Sequence, residues 1–238
     1  MESAPTAVSG SPNEPVARSP RSDLILVEVI LVLLITFGTD ILAAVTEVMH
    51  ALLREAPMPS SLRIFPTSPG LSTLWVVCYF ALLAVPALLA VYLLQGTPKK
   101  LTGMGFRWFT WRDGWASLGL VIAAIVVIEG TGIVLILTHV PGHIQAPPLS
   151  GRNWLVDLAQ SLNAGVVEEI VVLGYVIRRL EDAGFSTRTA ALISLAVRSS
   201  YHLYYGTGVV AIVFFGVVQT LWFVRYRRIV PLIIGHAA

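Results

Sequence analysis

The sequence predicts an all-α, polytopic helical membrane fold, with about six full transmembrane helices and a truncated seventh. Three observations predict it. Of the 238 residues, 55% are hydrophobic and 13% charged, and the mean hydropathy is +0.77; a soluble domain carries about 25% charged residues. The apolar residues come in blocks near the ~20 residues that a helix needs to cross a bilayer. The basic residues gather at the block edges, a membrane-anchor pattern rather than a nucleic-acid stripe, so no nucleic acid is expected as a partner. The net charge of +2 is small, and the one cysteine, Cys78, allows no intrachain disulfide.

Residues 1–22, rich in Pro and Ser, read as a disordered cytoplasmic tail. Residues 23–238 read as one integral membrane domain. The apolar run from Leu24 is too long for a signal peptide's ~7–15-residue core, so it is a retained helix over 24–48. A Pro-rich loop leads to a second helix over 71–95, where Pro86 removes a backbone hydrogen bond. Residues 96–113 mix Lys99, Lys100, Arg107 and Arg112 with Phe106, Trp108, Phe109 and Trp111, which suits the headgroup layer. A third helix covers 114–137. The loop 138–152 holds His139 and His143 without a third metal ligand.

The fourth helix, over 153–177, carries Glu168 and Glu169. Arg178, Arg179 and Arg188 bracket a polar link to the fifth, over 188–204, which carries Arg198 and His202. Gly206 and Gly208 mark a tight turn before the sixth, over 208–224. The last stretch, Ile229 to Ala238, makes ~15 Å of helix, about half the hydrocarbon core. Either the sequence is cut short or its end faces a wet cavity. Twelve of the 16 Lys and Arg residues fall on one set of loops and three on the other, with Arg198 apart. The positive-inside rule then places the N-terminus in the cytoplasm of a plasma-membrane protein.

Two adjacent carboxylates inside an apolar helix need an offset, since each costs at least ~2.5–3.5 kcal/mol near the bilayer centre. Arg198 and His202, four apart on the next helix, share the face that can supply it. His236 can approach the same cavity, and Ser161, Ala164 and Gly165 permit close helix packing before Glu168. Such a set supports water activation, with a carboxylate as base and an imidazole positioning water or donating to an oxyanion. The plainer reading is an Arg–Glu pair that ties two helices together. Asp40, Glu47, His50 and Glu129 read as structural or cavity-lining. One difficulty is depth. Glu168 lies ten residues from Arg178, or ~15 Å, whereas His202 lies fourteen from Arg188, or ~21 Å. The fifth helix must tilt, start late or project for the groups to meet.

The order Glu168-Glu169, then Arg198-x-x-x-His202, then His236 resembles the CPBP family of intramembrane glutamic endopeptidases. That family includes type II CAAX prenyl endopeptidases and Abi proteins. Its first motif resembles Glu-Glu-x-x-x-Arg, often followed by Gly, and here Leu173 stands at the Arg position before Gly174. Its second is Phe-x-x-x-His, with Arg a variant at the first position, here Arg198-Ser199-Ser200-Tyr201-His202. Its third is His-x-x-x-Asn or Asp, beginning here at His236. The likeness covers 150–238, with a looser match over 101–120, where Gly103-Met104-Gly105-Phe106 precedes Trp111-Arg112-Asp113.

The resemblance implies peptide-bond hydrolysis in a membrane-associated, prenylated or unprenylated, protein or peptide. It implies Glu168 as the base, Glu169 as its partner, His202 assisting and His236 at the oxyanion. Arg198 is the expected charge partner, replacing the arginine that Leu173 displaces. No cofactor is expected, with zinc a minor option. Leu173, and a sequence that stops two residues after His236, fit the alternative of a catalytically inactive scaffold or bacteriocin-immunity factor. A proton or ion path through the buried charges is a third reading, weakened by the lack of paired repeats.

Overall fold

The computed structural model describes residues 20–53, 69–95, 100–139 and 154–238, and every regular element among them is helical. Helix α1 (Pro20–Leu53) starts on a proline, whose missing N–H costs nothing at a first helical position. Residues 20–22, assigned to the tail from composition, therefore belong to the helix, and 1–19 lie outside the described residues. Helix α2 (Pro69–Gln95) continues through a buried Pro86. The short α3 (Lys100–Gly103) leads to α4 (Trp111–Leu137), which Thr110 and Asp113 cap: the Thr110 N–H and O–H both donate to Asp113 Oδ2 at 2.6 Å.

The central rod is α5 (Trp154–Glu168), a nine-residue π-helical segment (Glu169–Ile177) and α6 (Arg178–Asp182). Every residue of the π segment is buried. After a turn come α7 (Thr187–Ser200), a 3₁₀ segment (Leu203–Gly208), α8 (Val209–Tyr226) and α9 (Val230–Ala237). Gly206 adopts φ 58°, ψ −128° inside the 3₁₀ stretch, a conformation that suits glycine in the tight turn expected there.

Five of the described helices are long and apolar enough to cross a membrane: Pro20–His50, Cys78–Gln95, Trp111–Leu137, Leu158–Asp182 and Leu203–Tyr226. The fifth crossing expected from the sequence is the difference. Helix α7 has 14 residues, ~21 Å, short of the ~30 Å core. It packs between the π segment and α8 instead.

The depth difficulty disappears in the structure. The central rod does not end at Arg178 but runs on to Asp182, and α7 begins at Thr187. Glu168 and His202 then stand fourteen and fifteen residues from the two sides of one turn. Arms of nearly equal length meet. Ser194 Oγ, midway along, donates to Val172 O at 2.7 Å and fixes the register.

At one end of the bundle three ion pairs join elements far apart in sequence. Glu28 of α1 accepts from Arg179 Nε at 2.8 Å, from Arg179 Nη2, and from Tyr175 O–H at 2.7 Å. Arg227 donates to Glu181, which also accepts from Thr187 Oγ1 at 2.7 Å. Arg228 reaches Asp113 and Trp108 O. Of the three arginines that bracket the polar link, Arg178 and Arg179 are buried or half-buried and paired with Asp182 and Glu28, while Arg188 is exposed. Helix α9 packs against both α4 and α5.

Candidate active site

Gly165 sets the approach of α9 to the central rod. A Cβ there would stand 2.8 Å from Ile233 O and 3.1 Å from Ala237 Cβ. Gly235 does the same against α4, where a Cβ would stand 2.8 Å from that of Leu120. With both positions bare, α9 lies close enough to bring His236 to Glu169.

The two glutamates face different partners, because neighbouring residues on a helix point in different directions. Glu169 is fully buried, and its Oε1 accepts from Arg198 Nη2 and from His236 Nδ1, each at 2.7 Å. A carboxylate only accepts, so Nδ1 carries the proton and Nε2 is left for other partners. Arg198 is itself 1% exposed, which makes this a buried ion pair extended to an imidazole. Glu168 Oε2 accepts from Tyr201 O–H at 2.7 Å and lies 3.7 Å from His202 Nε2.

Glu168, Arg198, His202 and His236 line a cavity of about 1050 Å³. Its polar wall continues through Gln160, Ser161, Asn163, Tyr204 and Tyr205. Its apolar wall comes from α1, α2 and α4, including Phe37, Leu82 and Ile125. Asp40 and Glu129 also face it, in the cavity-lining role expected of them. Glu47's side chain and the whole of His143 lie outside the described residues. Among the described residues no three His, Cys, Asp or Glu side chains converge as a metal-ligand set. A guanidinium holds the cationic position beside Glu169.

Sequence reasoning missed Tyr201. On a continuous helix, Tyr201 and His202 would point about 100° apart. The helix ends at Ser200, and the turn at 201–202 lets both reach Glu168. The Gly206-x-Gly208 pair just beyond was the available signal that the helix stops early. Leu173, at the expected arginine position, is fully buried among apolar side chains.

Residues 150–238 match the Rce1-like family. The description of that family is type II CAAX prenyl endopeptidase Rce1-like. The match supports the CPBP likeness and spans the same residues as the three motifs. The looser likeness over 101–120 falls outside it, although Gly105 O of that stretch accepts from Ile229 N at 3.1 Å and so joins it to the matched segment. No curated protein and no solved structure matches the chain. The match and the five apolar helices both fit an integral membrane protein.

Proposed function

We propose that the chain is an intramembrane endopeptidase that hydrolyses a peptide bond of a membrane-associated protein or peptide, with prenylated substrates as the class to try first. One observation carries the reading: Glu168, His202 and His236 share the wall of one cavity while Glu169 stands behind them, neutralised by Arg198. Of the two carboxylates, Glu168 is the base. Glu169 is fully buried and its Oε1 is already held by two donors, whereas Glu168 faces the cavity.

In the first step water gives a proton to Glu168 while its oxygen bonds to the scissile carbonyl carbon, and the carbonyl π pair moves to oxygen. His202 orients the water beside Glu168. His236 faces the oxyanion; with Glu169 accepting from Nδ1, a second proton on Nε2 gives it a donor for that charge. In the second step the oxyanion collapses, the C–N bond breaks, and Glu168 returns its proton to the leaving amine. The products are one carboxylic acid and one amine, and the step needs no cofactor. Arg198 supplies from α7 the charge that Leu173 does not supply from the central rod; Arg198→Leu with full activity would defeat that role.

The test is cleavage of a farnesylated CAAX reporter peptide by the purified protein in proteoliposomes. Wild type is expected to cleave it and Glu168→Gln to lose at least about 100-fold in kcat. Equal rates would remove Glu168 as the base. The burial of Leu173 favours a second reading, a non-catalytic scaffold or immunity factor of the same fold. Under that reading no peptide is cut, and Glu168→Gln behaves as wild type in cells. We also place the N-terminus in the cytoplasm. The ion pairs of Glu28 with Arg179, Glu181 with Arg227 and Asp113 with Arg228 support this by gathering the basic segments at one end.

A further inference from the structure

We infer that Tyr201 is a positioning residue for Glu168, and that it connects the candidate site to the N-terminal helix. The inference rests on the reading of Glu168 as the base. Tyr201 is 3% exposed and does not line the cavity, so it does not touch substrate. Its O–H donates to Glu168 Oε2 at 2.7 Å. Its ring stacks on Phe37 of α1, with centroids 4.3 Å apart and planes within 4°. Phe37 is itself buried, so the ring is clamped between α1 and the central rod.

A glutamate side chain has three rotatable bonds, and a base must present one oxygen to water in one orientation. Tyr201 occupies Oε2 and fixes the plane of the carboxylate. The proton from water then goes to Oε1, and the same oxygen returns it to the leaving amine. His202 lies next to Tyr201, with ring centroids 4.6 Å apart, so one turn sets both the carboxylate and the imidazole. Phe37 lies outside the stretch that matches the family. The N-terminal half of the chain therefore contributes to the geometry of the base without supplying a reacting group.

The experiment compares wild type, Tyr201→Phe, Phe37→Leu and Glu168→Gln on the farnesylated CAAX peptide in proteoliposomes. Tyr201→Phe keeps the stacked ring and loses only the O–H. It is expected to lower kcat by about 10- to 100-fold, as for loss of a hydrogen bond to a charged group, with KM unchanged. Phe37→Leu keeps the O–H, loosens the ring, and is expected to lower kcat by a smaller factor; because Phe37 also lines the cavity, kcat alone is the readout for this variant. A wild-type kcat in Tyr201→Phe, alongside an inactive Glu168→Gln, overturns the inference and leaves the base reading intact. An active Glu168→Gln overturns both. Should wild type cut no peptide, a thermal-unfolding cycle of Tyr201→Phe, Glu168→Gln and the double variant decides whether the bond exists. Additive effects overturn the inference, and coupling supports the Tyr201–Glu168 hydrogen bond on which it is built.

Discussion

Arg198 and Glu169 form a buried ion pair, two charges removed from water and lipid alike. Breaking one side of such a pair strands the other. Arg198→Leu is expected to lose about 3–5 kcal/mol of stability, measured by thermal unfolding in detergent. The double variant Arg198→Leu/Glu169→Gln is expected to recover part of that loss, because a neutral amide needs no counter-charge. If the single variant unfolds as wild type does, the pair is not buried as described. The partnership itself was legible: a lone arginine in an apolar segment, one short link after a carboxylate pair, has few other places to go. Which glutamate it takes was not, since that depends on the direction each side chain leaves the π segment.

Among the elements, α9 is short and has a large consequence. It has eight residues, and among the described residues its one ionisable side chain, His236, bonds Glu169; its position rests on the close approach at Gly165 and Gly235. Gly165→Val is expected to cost about 1–3 kcal/mol through overpacking. It should also lower peptide cleavage by moving His236 away from Glu169. Unchanged cleavage with lowered stability would separate His236 from the chemistry. At the other end of the rod, Glu28→Gln is expected to weaken the tie between α1 and α6 by about 1–3 kcal/mol. Limited proteolysis should then cut near α1 sooner than in wild type. Neither fastener was visible as a pair in the sequence. Glu28 and Arg179 are 151 residues apart, and no local pattern links them.

For the whole molecule, the proposed orientation makes a labelling prediction. In a Cys78→Ser background, Arg225→Cys is expected to react with a membrane-impermeant thiol reagent only from the cytoplasmic side. His139→Cys should react only from the opposite side. The reverse pattern would invert the topology and the side from which soluble products leave. The count of crossings also belongs to this scale. Its place between two long apolar stretches is what makes α7 look like a crossing in the sequence. Yet its residues are those of a short amphipathic helix packed between two others, with Ala190, Ser194 and Arg198 buried on one face.

The sequence alone determined the helical membrane class, the carboxylate pair, the arginine and histidines that follow it, and the family likeness that the match over 150–238 supports. These are readable because the bilayer penalises charge and exposed backbone residue by residue, so exceptions stand out in one dimension. The tertiary structure decided which glutamate faces the cavity, that Tyr201 holds it, and that α1 reaches the site through Phe37. Those depend on a helix that ends at Ser200, a rod that passes Arg178, and two glycines that admit a third helix. Each is set by packing between segments distant in sequence, where spacing along the chain carries no record of direction in space.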